Sequence, residues 1–268
     1  MHGEITQLFD LGGKCALVTG GARTMGWDAA CVLAAAGCRV AITSRSAESA
    51  RESAARLKDR YGVDAAGWQL DQTSHAEVAR VAGEAIVWAG RVDILVNNSG
   101  GGVGASPPPL LDRDVADLDL LLQLNLNGML YCCREVGRHM VEQGGGKIIN
   151  IASIAGLCGR DRRMYVEGKL KGQPVEYAAA KAGVIGLTMD LAGYLSPRGV
   201  YVNAISPGGF ENRQPPEFIR LYSDSTPLGR MGRYGSDIKG PILFLASPAS
   251  DYVTGHNLVV DGGFTIWH

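Results

Sequence analysis

The sequence has no excess of charge of either sign. Its 26 Lys and Arg residues stand against 27 Asp and Glu, a formal net charge of −1. Without a basic surplus there is no electrostatic footprint for nucleic acid or for an anionic membrane surface, and neither is expected as a partner. No apolar run reaches the roughly 18 residues that a membrane span needs. The opening stretch, MHGEITQLFDLGGKCALVTG, lacks the apolar core of a secretory signal. A cytoplasmic protein is therefore expected. The six cysteines (Cys15, Cys31, Cys38, Cys132, Cys133 and Cys158) form no CxxC and pair with no histidine at zinc-site spacing, so no metal site is expected. They read as small buried residues kept reduced. Only the adjacent Cys132 and Cys133 suggest a redox switch, and neighbours on a helix point apart. Internal repeats, low-complexity tracts and interdomain linkers are absent too. The 268 residues are read as a single domain, large enough for a substantial core.

What is present is an alternation of short apolar runs with longer helical patterns. Strands are predicted at Cys15–Val18, Arg39–Ser44, Gly67–Leu70, Asp93–Val96, Lys147–Ala152, Tyr201–Ser206 and Asn257–Val260. Helices are predicted at Ala29–Ala36, Ala47–Arg60, Ser74–Ala89 with Ser74 as N-cap, about Asp114–Gln143, and around Tyr177. Continuous apolar strands alternating with helices imply an α/β doubly wound parallel sheet of about seven strands, with helices on both faces. Residues 209–235 break the rhythm, with Pro215, Pro216 and sparse apolar spacing. They read equally well as a lid over a site or as an irregular surface excursion.

The stretch TGGARTMG, Thr19–Gly26, lies between the first strand and the first helix, where a Rossmann fold binds the diphosphate of a dinucleotide. Helix-start N–H groups attract anions, and glycine lets a phosphate approach closely. The second strand ends Thr43-Ser44-Arg45, with no acid before Glu48. An acid there would accept from a ribose 2′-hydroxyl, whereas Arg45 would clamp a 2′-phosphate, with Arg23 able to reach the same group. NADP(H) is therefore expected over NAD(H).

In EYAAAKAGVIGL, Tyr177 precedes Lys181 by four residues on a predicted helix, so the two share a face. A nearby ammonium favours a phenolate. Lowering a phenol pKa by roughly 2–3 from about 10 corresponds to about 3–4 kcal/mol. Tyr177 could then give a proton to a carbonyl oxygen or take one from an alcohol. Ser153, ending a neighbouring strand, could hydrogen-bond the same oxygen.

These motifs come in a recognisable order: the Thr19–Gly26 loop, Asp71, Asn97–Gly100 (NNSG), Asn125 in LNLNG, Ser153 in NIASIAG, Tyr177-x-x-x-Lys181, Pro207-Gly208, and Thr254–Gly263 (TGHNLVVDGG). Together, and almost end to end, the chain resembles the short-chain dehydrogenase/reductase family in its single-domain Rossmann form. The resemblance implies an NAD(P)-dependent oxidoreductase acting on a small carbonyl/alcohol substrate. It casts Asn125, Ser153, Tyr177 and Lys181 as catalytic. Lys181 would also hold the nicotinamide ribose, and Asn125 would anchor a water relay to it. Gly20, Arg23, Thr24, Met25 and Gly26 would cradle the diphosphate, with Ser44 and Arg45 beside the adenosine ribose. Asp71, with Gln72 beside it, would accept from adenine. Asn98, Ser99 and Gly100 would line the ribose, and Pro207 and Gly208 the nicotinamide side. A homo-oligomer, tetramer or dimer, is implied through Asp114–Gln143, Val175–Leu195 and the C-terminal GGFTIWH.

Three departures from the family pattern stand out. Thr24 replaces a loop glycine, so its Cβ would push the diphosphate outward or demand negative φ, unless its hydroxyl instead donates to a phosphate, and the large Trp27 follows the loop. The interval between Ser153 and Tyr177 is about ten residues longer than usual. It carries Arg160, Arg162, Arg163, Lys169 and Lys171 against Asp161, Glu167 and Glu176. This insert should loop out at the mouth of the site, either as a basic rim for an anionic, sugar-like or 3-oxoacyl substrate or as a solvated loop or subunit contact. After Pro207-Gly208 the chain runs GFENRQPPE, where Glu211, Asn212 or the backbone would replace a family threonine. Two other functional classes use the same framework: a sugar-nucleotide dehydratase or epimerase with recycled cofactor, and a catalytically silent dinucleotide-binding regulator.

Overall fold

The computed structural model describes residues 2–101, 109–170 and 172–267. The interior of the GGVGASPPP loop, Lys171 of the basic insert and the terminal His268 lie outside the described residues. Seven strands, β1 (Cys15–Val18), β2 (Arg39–Ser44), β3 (Ala65–Gln69), β4 (Ile94–Asn97), β5 (Gly146–Ile151), β6 (Val200–Pro207) and β7 (Asn257–Val260), form one sheet in the order β3-β2-β1-β4-β5-β6-β7. Every neighbouring pair is parallel. The helices are α1 (Gly3–Leu8), α2 (Thr24–Ala35), α3 (Ala47–Tyr61), α4 (His75–Ala89), α5 (Val115–Leu122), α6 (Gly128–Glu142), α7 (Arg162–Glu167), α8 (Val175–Leu195), α9 (Pro216–Asp224) and α10 (Lys239–Ala246).

Strand side chains alternate between the two faces, so each strand feeds two cores. Ala16, Val18, Val40 and Ile42 pack with Leu33 of α2, Leu57 of α3 and Ile242 of α10. Leu17, Ala41, Leu95 and Ile148 pack with Val81 of α4, Val136 of α6 and Val184 of α8. This two-sided burial is why the strands read as unbroken apolar runs. The strand order reverses between β1 and β4, and the crevice beyond their carboxyl ends is where such sheets bind ligands. No helix among the described residues is long and apolar enough to cross a membrane.

Three differences from the sequence expectation concern the site. The glycine loop runs directly into α2, which starts at Thr24 rather than Ala29. The helix predicted over 114–143 is α5 and α6 joined by a π-helical turn, Gln123–Asn127. Inside that turn the fully buried Asn125 donates from Nδ2 to the Leu121 carbonyl at 3.0 Å. A side-chain amide inserted into the helical ladder is a recognised cause of such a bulge. The insert and residues 209–235 form the short helices α7 and α9. Their Met164, Phe218 and Tyr222 make a separate small core with Met231. Residues 209–235 therefore roof the region beyond β5 and β6. Helices of six to nine residues span too few turns for apolar periodicity to reveal them.

Candidate active site

The β1–β4 crevice is closed by bonds between its two loops. Thr19 Oγ1 accepts from the Asn98 and Ser99 amides, both at 3.0 Å, and Asn98 Nδ2 donates to the Thr19 and Gly20 carbonyls at 3.0 and 3.2 Å. The loops approach so closely that a Cβ on Gly26 would stand 2.2 Å from the Gly20 carbonyl oxygen and 2.4 Å from Asn98 Nδ2. Only glycine fits there. The Gly20 and Gly21 amides bond Thr43 Oγ1 and the Thr43 carbonyl, at 3.3 and 3.0 Å, which draws the loop against the end of β2. Ser46 and Ser74 cap α3 and α4 with side-chain oxygens, but Arg23 provides no such cap to α2. The first-turn N–H groups of α2 thus keep their capacity to bind an anion. Met25 faces the cavity described below. Arg23 and Arg45 are exposed, and neither forms an ion pair among the described residues. Next to Arg45, Ser44 Oγ accepts from the Ser46 amide at 3.3 Å.

Thr24 does not take negative φ, one of the alternatives its Cβ raises. Its φ is +50°, a left-handed conformation uncommon for a β-branched residue. Trp27 also finds an explanation: it packs against the first core with the Arg56 guanidinium 4.2 Å above its ring.

Farther along the crevice, Asp71 Oδ1 accepts from the Thr73 amide and hydroxyl, at 3.0 and 2.7 Å, which makes Asp71 a turn-forming residue at the exposed end of β3. Buried Gln72 donates from Nε2 to the Ser99 and Leu124 carbonyls, at 3.0 and 2.6 Å. Asn125 Oδ1 accepts from the Gly101 amide at 2.8 Å and Nδ2 donates to the Gly101 carbonyl at 2.9 Å. A Cβ on Gly100 would stand 2.7 Å from Asn125 Oδ1, so the turn after β4 is seated directly on the π turn. Both amide hydrogens of Asn125 are engaged with backbone; Oδ1 keeps one lone pair for a water. Pro207 ends β6, the Gly208 amide bonds the Val260 carbonyl at 3.0 Å, and the Gly209 amide bonds the Tyr222 hydroxyl at 2.6 Å. Glu211 and Asn212 are exposed.

Ser153 follows β5, and Tyr177 and Lys181 lie one turn apart near the start of α8. Ser153 Oγ accepts from the Ala155 amide at 3.1 Å, which leaves its proton free to be donated. Its hydroxyl lies beside the Tyr177 phenol and favours the ionised form of that group. Buried Lys181 donates to the Ile151 carbonyl at 2.7 Å, and Nζ lies 5.7 Å from the Tyr177 ring centre. The proton balance differs from the simple expectation. Burial pushes the Tyr177 phenol up, opposed by the Ser153 hydroxyl and then by the Arg160 charge. Burial also brings Lys181 down from 10.5 to about 8. Protein side chains alone therefore keep Tyr177 protonated, in the state suited to give a proton away.

Beside Ser153 and Tyr177 opens a cavity of about 610 Å³, whose wall includes Arg160, Tyr165, Phe218 and Phe264. The insert and residues 209–235 face each other across it. Of the insert's described basic residues, Arg160 and Lys169 line this cavity. Arg163 is forked onto Asp161, and Arg162 lines a neighbouring groove. Among the described residues no group of three or more His, Cys, Asp or Glu side chains could hold a metal.

Two structural features escaped the sequence reading. Thr19 fastens both crevice loops, and its only signal was a threonine at a strand end. Arg113 forms a buried ion pair with Glu176, directly before Tyr177, and nothing in the spacing of residues 63 apart announces it. The six cysteines are free thiols. Five are buried, and burial raises both Cys132 and Cys133.

A family model described as enoyl-(acyl carrier protein) reductase matches residues 20–265. The chain is 35% identical to a 3-oxoacyl-(acyl-carrier-protein) reductase of Aquifex aeolicus over 257 residues, 94% of this chain and 98% of that one. It is 37% identical to D-threitol dehydrogenase of Mycolicibacterium smegmatis over 264 residues, 96% of this chain and 95% of that one. Among solved structures, a gluconate 5-dehydrogenase from Burkholderia cenocepacia in complex with NADP and tartrate superimposes with a TM-score of 0.88 at 34% identity, covering 98% of this chain and 99% of that one.

Proposed function

The chain belongs to the short-chain dehydrogenase/reductase family and is an NAD(P)-dependent oxidoreductase of carbonyl and alcohol substrates, and on that premise we propose that it prefers NADP(H) and reduces or forms a ketone bearing an anionic group. The observation that carries the reaction is the cluster of Ser153, Tyr177 and Lys181 at the carboxyl end of β5, opening into a cavity next to an uncapped helix start.

The dinucleotide supplies or accepts the hydride. The loop Gly20–Gly26 and the α2 amides hold its diphosphate, Asp71 and Gln72 lie on the adenine side, and Asn98, Ser99 and Gly100 shape the ribose side. Pro207 and Gly208 bound the nicotinamide side. Ser153, its oxygen already held by the Ala155 amide, donates to the substrate oxygen and stabilises charge developing there. Tyr177 gives its proton to that oxygen in reduction and takes it back in oxidation. Lys181 donates one hydrogen to Ile151 and keeps two for ribose hydroxyls. Asn125 holds the Gly100–Gly101 turn against this cluster.

The preference for NADP(H) is supported by Arg45 and Arg23, exposed beside the crevice without carboxylate partners among the described residues, and by the absence of an acid at the end of β2. Arg45→Ala should weaken NADPH binding by roughly 10–100-fold, the worth of a charge-assisted bond, and leave NADH nearly unchanged. Fluorescence titration measures both, and equal losses for the two cofactors would refute the assignment. The relatives' names span neutral polyols, a sugar acid and an oxoacyl thioester, so the substrate class rests on the cavity's own chemistry. We also propose a homo-oligomer, supported by Leu120, Leu130, Met189 and Tyr194 exposed on α5, α6 and α8, to be measured by light scattering. The cytoplasm is the proposed compartment, supported by the unpaired thiols.

A further inference from the structure

Arg160 is placed unlike the other described cations of the insert. Its Nη1 donates to the Gln173 carbonyl at 2.8 Å, which fixes the guanidinium plane. Its Nη2 is buried and has no hydrogen-bond partner among the described residues. The guanidinium carbon stands 5.6 Å from the centre of the Tyr177 ring, on the wall of the cavity. No carboxylate among the described residues pairs with it; the adjacent Asp161 is forked onto Arg163 instead. A buried donor without an acceptor is costly, and a partly buried cation without an anion more so. Burial correspondingly lowers the pKa of Arg160.

We propose that Arg160 is a specificity-determining residue that binds the carboxylate of an oxo acid or hydroxy acid whose reacting carbon is held at Ser153 and Tyr177. The assignment rests on the reaction proposed above and narrows its substrate. A carboxylate fits better than a phosphate because a single fixed guanidinium matches one negative charge. The rest of the wall is largely aromatic and apolar, with Tyr165, Phe218, Tyr222 and Phe264 around it; its one carboxylate among the described residues, Asp161, is paired with Arg163, and Lys169 is exposed at the rim. A thioester or neutral polyol would leave Nη2 without an ionic partner. The closeness of Arg160 to Tyr177 sets the spacing: carboxylate and carbonyl are separated by a short chain that lies wholly inside the cavity.

The test compares 2-oxopropanoate, 3-oxobutanoate and 4-oxopentanoate with their methyl esters, and with dihydroxyacetone phosphate, in wild type, Arg160→Met and Arg160→Lys. At least one oxo acid should exceed its ester in kcat/KM by roughly 10-fold or more, the scale of a charge-assisted hydrogen bond. Arg160→Met should abolish that ratio, chiefly by raising KM for the acid, whereas a change carried by Tyr177 alone would alter kcat for acid and ester equally. Arg160→Lys, which keeps the charge but loses the fork, should fall between. A ratio unchanged in Arg160→Met, esters equal to acids in wild type, or the phosphate ester ahead of every acid would each overturn the assignment. Calorimetric binding of the same acids to dinucleotide-loaded wild type and Arg160→Met separates the two layers. Arg160-dependent binding without turnover would sink the reaction and keep the carboxylate site. Turnover of acid and ester alike would do the reverse.

Discussion

Replacing Thr24 by glycine should stabilise this protein, although threonine-to-glycine changes in a helical first turn ordinarily destabilise. Thr24 opens α2 with φ at +50°. An L-residue held left-handed is strained by roughly 1–2 kcal/mol because its Cβ crowds the backbone. Glycine removes that strain but adds freedom to the unfolded chain, a loss of about 0.4–1 kcal/mol. The net is a gain on the order of 0.5–1 kcal/mol. Were Thr24 in ordinary helical backbone, the exchange would instead cost a few tenths of a kcal/mol through propensity alone. The sign therefore decides. Urea unfolding with a shared slope gives the difference as a shift in midpoint. Thr24→Ala is the control: it retains the Cβ and most of the strain, so its midpoint should stay nearer to wild type. A lower midpoint for Thr24→Gly than for wild type would refute the strain argument.

Other expectations follow from buried charge. Lys181 has a folded pKa of about 8 against an ordinary 10.5, so between those values the unfolded chain binds more protons and stability should rise with pH. Tyr177, shifted upward, opposes this at higher pH, where the unfolded phenol ionises first. Urea midpoints from pH 7.5 to 10 should show the rise in wild type and lack it in Lys181→Met; parallel curves would contradict the burial of a charged lysine. Arg113→Met should destabilise by roughly 3–5 kcal/mol because it strands Glu176, whereas Arg113→Met/Glu176→Leu should recover most of the loss. Additive losses in the double variant would show that the pair itself is not what matters.

Much of this site was legible because its residues sit at element ends. The strand alternation fixed where β1, β4 and β5 stop, and Gly26, Ser153 and Tyr177 follow from those stops and from helical spacing. The hydrogen bonds made by Asn98, Gln72 and Asn125 were not legible: their side chains hold loops of the crevice together, across contacts distant in sequence. Periodicity likewise could not show the π turn, because one inserted amide changes the ladder without changing the apolar pattern. The expected effect of Lys181 on Tyr177 used proximity alone. Burial acts on both groups and reverses the net direction at the phenol. Of the five cations counted in the insert, only the folded arrangement separates Arg160, with its buried donor unpartnered among the described residues, from Arg163, already paired.

The most direct measurement is single-turnover reduction of a ketone by Tyr177→Phe beside a dinucleotide titration of the same protein. Loss of the phenolic proton should slow reduction by roughly 10²–10⁴-fold, the usual scale of general-acid catalysis, while dinucleotide affinity changes little. Reduction at near wild-type rate with intact dinucleotide binding would contradict the assignment of Tyr177 as the proton donor.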